Sequence, residues 1–199
     1  MSNQLNLFQE DKTFSSPIAG LSYRPNYISK EEEAFLLAQI DAQNWLLDLK
    51  RRVQHYGYKY DYRARRIDVS MKIGKIPNWL ENIAKRLYTE GVFEDMPNQV
   101  IINEYEAGQG ISAPIDCEPC FGETIVSLSL NSTAVMDFSN DLMSEKISVL
   151  LEPQSIVVLQ GESRYQWKHA IANRQKDVFD GVIYPRKRRV SLTFRKVVL

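Results

Sequence analysis

Apolar and polar positions follow a helical spacing in two stretches of the first half of the 199-residue chain. The first stretch, residues 30–43, follows Ser29, a residue type that favours the N-cap position, and carries acids in its first turn, where they suit the helix dipole. Apolar residues recur on one side at the spacing of a helix that is buried on one face. We therefore predict a helix over residues 30–43 with a buried stripe formed by Phe35, Leu36, Leu37 and Ile40.

The second stretch of helical spacing covers residues 77–91. Pro77 lies near its start, where proline is tolerated, and Gly91 follows its end, where glycine is favoured. Such stripes are typical of helices that pack on a core, so we interpret both as packing faces and not as binding sites. The apolar side of this second helix is predicted to consist of Trp79, Leu80, Ile83 and Leu87.

The segment between the two helices has a different period, because tyrosine occurs at every second position from Tyr56 to Tyr62. A period of two predicts a strand or hairpin with one aromatic face. Arginines and lysines are interleaved with these tyrosines, a combination found where bases stack on rings and cations meet phosphates. A tyrosine-lined sheet face inside the core is the alternative interpretation.

From residue 98 onward the chain consists of short apolar runs separated by turn residues. Many short strands with turn signals are typical of a sandwich, barrel or jelly roll. We predict an α+β fold that is mainly β, with the two helices packed on one sheet. Residues 1–17 are polar and lack periodicity, so we expect a flexible tail before one domain over 18–199. The predicted strands lie in the runs QVIINEY, TIVSLSL, TAVMDFS, KISVLLE, SIVVLQG and RRVSLTFRKVVL.

The formal net charge is zero, so composition alone does not indicate a nucleic-acid-binding protein. Two segments are nevertheless basic, with seven lysines or arginines from Lys50 to Arg66 and six from Arg186 to Lys196. They could form a basic face or could be ordinary solvated surface. No apolar run is long enough for a bilayer, and the first residues lack a signal-peptide layout. We therefore expect a monomeric, cytoplasmic protein that does not contact membranes.

Two short motifs lie apart from these periodic stretches. Cys117 and Cys120 are spaced C-x-x-C, which is weak evidence for zinc and too little for a disulfide framework, and redox pairing stays open. In the tail, the spelling Q-L-x-L-F resembles the motif by which bacterial repair and replication proteins dock on the sliding clamp, although five residues are easily matched by chance. The residues that match it are Gln4, Leu5, Leu7 and Phe8.

Candidate chemistry comes from carboxylate, histidine and arginine residues in the strand-rich half. Non-haem iron oxygenases hold Fe(II) with two histidines and one carboxylate, and they leave the opposite positions open for dioxygen and a cosubstrate. Here the chain carries, in order, Asn-x-Tyr from Asn103, Glu-x-Gly-Gln-Gly-Ile, x-Ile-Asp ending at Asp116, Ile-Val-Ser-Leu-Ser-Leu, Tyr-x-Trp-Lys-His ending at His169, and Arg-x5-Arg from Arg189. This ordered set resembles the AlkB family of Fe(II)/2-oxoglutarate-dependent dioxygenases over roughly residues 20–198.

The resemblance implies a double-stranded β-helix, or jelly roll, and oxidative removal of alkyl groups from DNA or RNA bases. Dioxygen is consumed, and 2-oxoglutarate is split to succinate and carbon dioxide. By the same resemblance, Asp116 and His169 match two ligands of Fe(II). The positions that match cosubstrate-binding residues are Asn103, Tyr105, Arg189, Ser191 and Arg195. Those that match substrate-binding residues are Arg52, Tyr58 and Glu118.

The chain departs from the family pattern at Pro114, where the family has its first histidine ligand. Proline has no nitrogen lone pair to offer a metal ion. The only other histidine, His55, lies in the basic, tyrosine-rich segment, and we expect it to face substrate or solvent. Cys117, Glu118 or a water could fill the missing ligand position, at a cost in metal affinity.

Two functions follow from this departure. The first is a dioxygenase with a weakened metal site that still uses Asp116 and His169. The second is a catalytically silent protein on the same fold, which binds nucleic acid or 2-oxoglutarate without turnover. Metal affinity distinguishes the two. A changed codon or an engineered substitution at Pro114 in an otherwise ordinary enzyme is a third explanation.

Overall fold

The computed structural model describes residues 16–47, 49–113 and 115–199. Pro114 and the predicted clamp motif therefore lie outside the described residues. Within them, the chain forms three α-helices and twelve β-strands. None of these helices has the length and apolar character needed to cross a membrane. The helices are α1 (Lys30–Asp41), α2 (Asn78–Thr89) and α3 (Gly161–Tyr165).

Two antiparallel sheets face each other, which confirms the predicted double-stranded β-helix. A two-stranded ribbon of β10 (Lys176–Phe179) and β11 (Val182–Pro185) lies beside them. The larger sheet has the order β1 (Leu21–Arg24), β8 (Ile156–Leu159), β5 (Phe121–Leu130), β12 (Arg189–Val197), β3 (Gln99–Tyr105) and β2 (Arg52–Tyr56). The smaller has the order β4 (Ile111–Ala113), β9 (Lys168–Ile171), β6 (Ala134–Asn140) and β7 (Glu145–Leu151).

Helix α1 begins as predicted, because the Ser29 hydroxyl accepts from the Glu32 N–H and the Glu32 carboxylate accepts from the Ser29 N–H. Leu36 and Ile40 are buried, whereas Phe35 is 52% exposed. The prediction that Phe35 belongs to the buried stripe was wrong. Successive helical residues point about 100° apart, so a face centred on Leu36 and Ile40 turns Phe35 toward solvent.

The predicted packing face of α2 is confirmed. Leu80, Ile83 and Leu87 are buried, and Trp79 packs against the same cluster. Together with α1, this helix covers the outer face of the larger sheet, where apolar residues of β3, β5, β8 and β12 meet it. One apolar layer of the core therefore lies between the helices and the larger sheet, and a second lies between the two sheets.

The tyrosine segment does not form a single strand, so the prediction of one continuous aromatic face was wrong. Strand β2 ends at Tyr56, and Gly57 follows in the left-handed region with φ of +80°. Tyr56 packs against Trp79 of α2 with ring centroids 5.6 Å apart. Tyr60 and Tyr62 instead meet each other edge to face at 4.9 Å, on the opposite side of the larger sheet.

Strand β12 shows how the sheet creates a polar interior. Successive side chains of a strand point to opposite faces. Val190, Leu192 and Phe194 therefore enter the apolar layer beneath the helices. The alternate residues face the space between the two sheets, and these are Arg189, Ser191, Thr193 and Arg195.

Candidate active site

A cavity of about 330 Å³ lies between the two sheets. Its walls combine apolar residues of both sheets with a row of polar and charged groups from β3 and β12. Burying so many polar groups is unfavourable unless they find partners, which indicates a binding site. Seven of the predicted site residues line this cavity, namely Asn103, Tyr105, Asp116, His169, Arg189, Ser191 and Arg195.

The side chains of Asp116 and His169 lie next to each other at one end of the cavity. The Asp116 Oδ2 and His169 Nε2 atoms are 3.6 Å apart. His169 lies in β9, where it pairs with Ala113 of β4 on one side and Phe138 of β6 on the other. Because Asp116 follows β4 by only three residues, the pairing of β4 with β9 brings both side chains to the same end of the cavity.

Both side chains hold the protonation states that metal ligation requires. Burial lowers the pKa of His169 and so favours the neutral imidazole. Burial alone would raise the pKa of Asp116, but the nearby Arg195, His169 and Arg164 outweigh that effect and hold it below its usual value. The pair therefore presents a neutral nitrogen ligand beside a carboxylate at neutral pH.

The pair fits a metal ion bound by two protein ligands. An imidazole and a carboxylate belong to the donor set that Fe(II) takes in non-haem oxygenases. Over residues 16–47, 49–113 and 115–199, no group of three histidines, cysteines or acids could hold a metal ion. The position that the resemblance assigns to a further ligand, Pro114, lies outside these residues.

Arg195 stands beside Asp116. Its Nη2 donates to Asp116 Oδ1 at 2.8 Å, and its guanidinium lies 4.7 Å from the Phe121 ring centroid. Its Nε and Nη1 are buried and have no partner among the described residues. Because unsatisfied charged donors are costly to bury, these two donors point to an acceptor supplied by a bound ligand.

Arg189 is buried at the start of β12, with only 3% of the residue exposed. Its Nη2 donates to the Ser129 hydroxyl at 2.8 Å, and its Nε is left without a partner within the described structure. Burial lowers the pKa of this guanidinium to about 10. A cation that is desolvated in this way, and that bonds a hydroxyl but no carboxylate of the described residues, fits an anionic ligand, because a carboxylate matches its planar fork.

The remaining cosubstrate candidates are placed by the register of β3 on β12. Tyr105 pairs with Arg189, and Asn103 pairs with Ser191. The Asn103 side chain accepts from Arg51 Nε at 2.8 Å. The two cross-strand pairs therefore bring these polar groups together on the cavity face of the larger sheet.

The structure does not bring the three predicted substrate-binding residues into the cavity lining. Arg52 bonds Glu104 at 2.6 Å on the helix-facing side of the sheet and lies over the Trp45 ring. Tyr58 is buried in a small cluster with the two cysteines, and Glu118 is exposed at a short 3₁₀ turn. Substrate roles for these three residues stay predictions.

Cys117 and Cys120 form a disulfide with each other. The redox pairing left open by the sequence is therefore the form that the structure adopts, and neither sulfur is free to bind a metal ion. The disulfide is buried beside Phe121 and Val197, near the carbonyl oxygen of Arg65.

Several cavity residues were not found from the sequence. Tyr60, Tyr62 and Arg65 reach the cavity from the loop after β2, and Arg51 reaches it from the residue before that strand. Arg51 lies 5.8 Å from the ring centroids of both Tyr62 and Tyr105. The basic and aromatic composition of this segment was the available signal, but it could not show which residues turn inward.

Comparison with known proteins agrees with this geometry. The model of the 2OG-Fe(II) oxygenase superfamily matches residues 39–195. The chain belongs to that superfamily, in its AlkB-like branch. An Arabidopsis thaliana protein named "Alkylated DNA repair protein ALKBH8 homolog" is 36% identical over 203 residues, covering 90% of this chain and 59% of that protein.

A mouse relative, "tRNA (carboxymethyluridine(34)-5-O)-methyltransferase ALKBH8", is also 36% identical, over 89% of this chain and 30% of its own length. The chain thus spans less than two thirds of both relatives. The solved structure of OsALKBH1 superposes with a TM-score of 0.66 at 16% identity, over 89% of this chain and 96% of that one. It supports the AlkB-like fold.

Proposed function

We propose that this protein oxidises an alkyl group on a DNA or RNA base while it converts 2-oxoglutarate to succinate and carbon dioxide. One atom of dioxygen ends in succinate. The other enters a C–H bond of the alkyl group, whose hydroxylated carbon then leaves as an aldehyde and restores the unmodified base. The observation that carries the proposal is the pair of buried arginines with unsatisfied donors beside Asp116 and His169 in one cavity.

2-Oxoglutarate would bind along the cavity face of β3 and β12. Arg189 would hold the carboxylate far from the metal, since its buried guanidinium lacks an acid partner in the described structure. Arg195 would support the metal-side carboxylate with its free donors while it keeps its bond to Asp116. Asn103 and Tyr105 would bond the cosubstrate from the neighbouring strand.

Asp116 and His169 would hold Fe(II), which in this family activates dioxygen for oxidation. The bond from Arg195 keeps one oxygen of the Asp116 carboxylate engaged and leaves the other directed at His169. Each of the two side chains is only 13% exposed, so this end of the cavity is largely shielded from solvent. Such shielding favours oxidation of a bound substrate over side reactions with solvent.

A nucleic-acid substrate is supported by the rim of the cavity and by the names of the relatives, which refer to alkylated DNA and to tRNA. Tyr60 and Tyr62 offer rings on which a base could stack, and Arg51 and Arg65 lie beside them. A base would have to leave its helix to reach Asp116 and His169. The basic stretch from Lys50 to Arg66 would then meet the phosphates.

A catalytically silent binding protein is the second candidate, and Pro114 is the observation that favours it. Two ligands bind iron less tightly than three, so the cosubstrate and nucleic-acid sites could persist without turnover. The oxygenase predicts binding of both 2-oxoglutarate and a methylated oligonucleotide, and the silent protein predicts binding of at least one of them. Only the oxygenase predicts Fe(II)-dependent release of succinate.

The deciding experiment measures succinate formed from 2-oxoglutarate by the unaltered chain under air with Fe(II). It is run with a methylated oligonucleotide, with the unmethylated oligonucleotide and with none. Succinate release stimulated by the methylated strand supports the oxygenase. Absence of succinate together with binding of 2-oxoglutarate or of the oligonucleotide in calorimetry supports the silent protein. Absence of both activity and binding would sink both proposals.

The variant Pro114→His tests whether this position alone limits the metal site. We expect it to bind Mn(II), a redox-stable substitute for Fe(II), more tightly than the unaltered chain. If the variant gains succinate formation, the rest of the site is intact. If it gains neither metal affinity nor activity, residues other than Pro114 must also have been lost from the site.

We propose in addition that the tail motif Gln4, Leu5, Leu7 and Phe8 docks this protein on a sliding clamp. The protein would then act as a cytoplasmic monomer recruited to replicating DNA. The test compares binding of a purified bacterial clamp to the full chain and to the double variant Leu7→Ala, Phe8→Ala. Equal binding, or none to either, rejects the clamp proposal and leaves the oxygenase proposal untouched.

A further inference from the structure

Arg164 is the most deeply buried arginine of the described residues, with 1% of the residue exposed. Its Nη1 donates to the carbonyl oxygen of Asp116 at 3.0 Å, and its Nη2 donates to that of Cys117 at 3.3 Å. The guanidinium also lies over the ring of Tyr165 at 4.9 Å. No carboxylate hydrogen-bonds it in the described part of the chain, and its Nε has no partner there.

Burying a guanidinium without a bonded carboxylate is unfavourable, which indicates that Arg164 has a role besides filling the core. Its planar fork presents parallel N–H groups in a fixed geometry. Two successive carbonyls, those of Asp116 and Cys117, occupy that fork. Arg164 therefore fixes the backbone at the residue that carries the proposed metal-binding carboxylate.

The helix that carries Arg164 is itself firmly attached. At the start of α3, the Gln160 amide donates to the Val92 carbonyl at 3.1 Å and to the Thr124 hydroxyl at 2.9 Å. The backbone N–H of Ser163 donates to the Ala19 carbonyl at 3.1 Å. Because these bonds restrict the backbone of the helix, a hydrogen-bond donor on it can hold a neighbouring loop in a fixed position.

The same short segment also supplies the second proposed ligand. Three residues after α3 ends at Tyr165, β9 begins, and its second residue is His169. One continuous stretch, residues 161–171, thus presents the imidazole and holds the backbone of the carboxylate that faces it. This stretch therefore helps to determine the 3.6 Å separation of the Asp116 and His169 side chains, because it carries His169 and also bonds the backbone of Asp116.

We propose that Arg164 is a positioning residue that orients Asp116 toward His169 for metal binding. The inference rests on the proposed function only in assuming that this pair binds a metal ion. Loss of a group that orients a metal ligand typically weakens metal binding about 10–100-fold. Because Pro114 cannot act as a third metal ligand, metal affinity depends more strongly on the orientation of the two proposed ligands, Asp116 and His169.

The test measures Mn(II) affinity of the metal-free full chain by calorimetry for Arg164→Met and Arg164→Lys. Methionine keeps the apolar length and removes the donors, and lysine keeps the charge but cannot span two carbonyls as a rigid fork. We expect Mn(II) affinity to fall about 10-fold or more in both variants. Affinity of the metal-free protein for 2-oxoglutarate, which depends on Arg189, should stay within about twofold. The matched control is Arg174→Met, because Arg174 pairs with Asp177 outside the cavity.

The outcomes separate positioning from mere support of the fold. If both variants lose 2-oxoglutarate binding together with Mn(II) binding and melt at a lower temperature, Arg164 is only structural. If Arg164→Met does not fold, Arg164→Lys decides, and unchanged Mn(II) affinity in it overturns the proposal. Should the unaltered chain bind no Mn(II), the comparison is repeated in the Pro114→His background. Absence of binding there too would reject the metal site and the positioning role together.

Discussion

Arg51 and Arg52 are neighbours in the chain, yet their guanidinium groups lie on opposite faces of the larger sheet. Arg51 donates to Asn103 at 2.8 Å on the cavity face, and Arg52 donates to Glu104 at 2.6 Å on the helix-facing side. Asn103 and Glu104 are themselves successive residues of β3, so the strand period separates the two arginines. The pair offers a natural comparison of two adjacent, chemically identical side chains.

The variant Arg51→Ala should weaken binding of a methylated oligonucleotide about 10-fold, because it removes the cation that lies beside Tyr62, one of the proposed base-stacking rings. Arg52→Ala should weaken it less than Arg51→Ala does, because the Arg52 guanidinium lies on the other face of the sheet and could meet only the outer phosphates. Fluorescence anisotropy with a labelled strand measures both. Equal losses in the two variants would contradict a cavity-specific role for Arg51.

The variant Arg189→Met should lower the affinity for 2-oxoglutarate about 10–100-fold, because the carboxylate loses its forked partner. The same variant should leave the free energy of unfolding unchanged or raise it, since it removes a buried cation whose one side-chain hydrogen bond within the described residues is to Ser129. Calorimetry and urea denaturation measure the two effects. A marked loss of stability would show that Arg189 serves the fold instead of a ligand. Arg24→Met, at an exposed arginine that pairs with Glu90 outside the cavity, is the control.

Asp177 is fully buried and forms ion pairs with Arg174 and Arg186, and Arg186 is itself almost fully buried. Asp177→Asn should lower the free energy of unfolding by about 3–5 kcal/mol, because it leaves the guanidinium of Arg186 without its charge partner. Glu145→Gln, an exposed change of the same kind, is the control, with an expected effect within about 0.5 kcal/mol. Denaturant unfolding at neutral pH gives both values, and equal losses would contradict the role of the ion pair.

The same aspartate gives a pH dependence of definite sign. Burial alone would raise the pKa of Asp177, but hydrogen bonds from Arg186, Val135 and Arg174 outweigh it and hold the pKa below the ordinary value of 3.8. The folded state therefore binds this proton less readily than the unfolded state. Its contribution to stability is complete above pH 3.8 and declines as the pH falls toward the folded-state pKa. Circular dichroism between pH 2 and 7 should show this loss, and a flat profile would contradict it.

Ser29→Ala should lower the free energy of unfolding by about 1 kcal/mol, because it removes the hydroxyl that accepts from the Glu32 N–H. Lys30→Ala, one residue later and exposed, is the control and should change stability by less than about 0.5 kcal/mol. Urea denaturation of the three proteins measures the difference. An equal decrease in the free energy of unfolding of Lys30→Ala would contradict a specific stabilising effect of the Ser29 cap.

The candidate site could be predicted from the sequence where its residues lie in ordered motifs on strands. Arg189, Ser191 and Arg195 share one face of β12 because they are separated by even numbers of residues. Tyr105 and Asn103 lie on β3, whose bounds the apolar run QVIINEY matched. The substrate side could not be predicted in this way. The strand ends before Gly57, so the two-residue period of a strand no longer predicts which of the following tyrosine rings face the cavity.

The sequence by itself determined the local features of this protein. Caps and apolar spacing placed α1 and α2, alternation placed the long strands, and the ordered motifs indicated the family. The tertiary structure decided which distant segments meet. Arg164 reaches the carbonyl of Asp116 across 48 residues, and Arg51 reaches Asn103 across 52. Periodicity is a property of neighbouring residues, whereas these contacts depend on how whole sheets and loops pack together, which no local pattern contains.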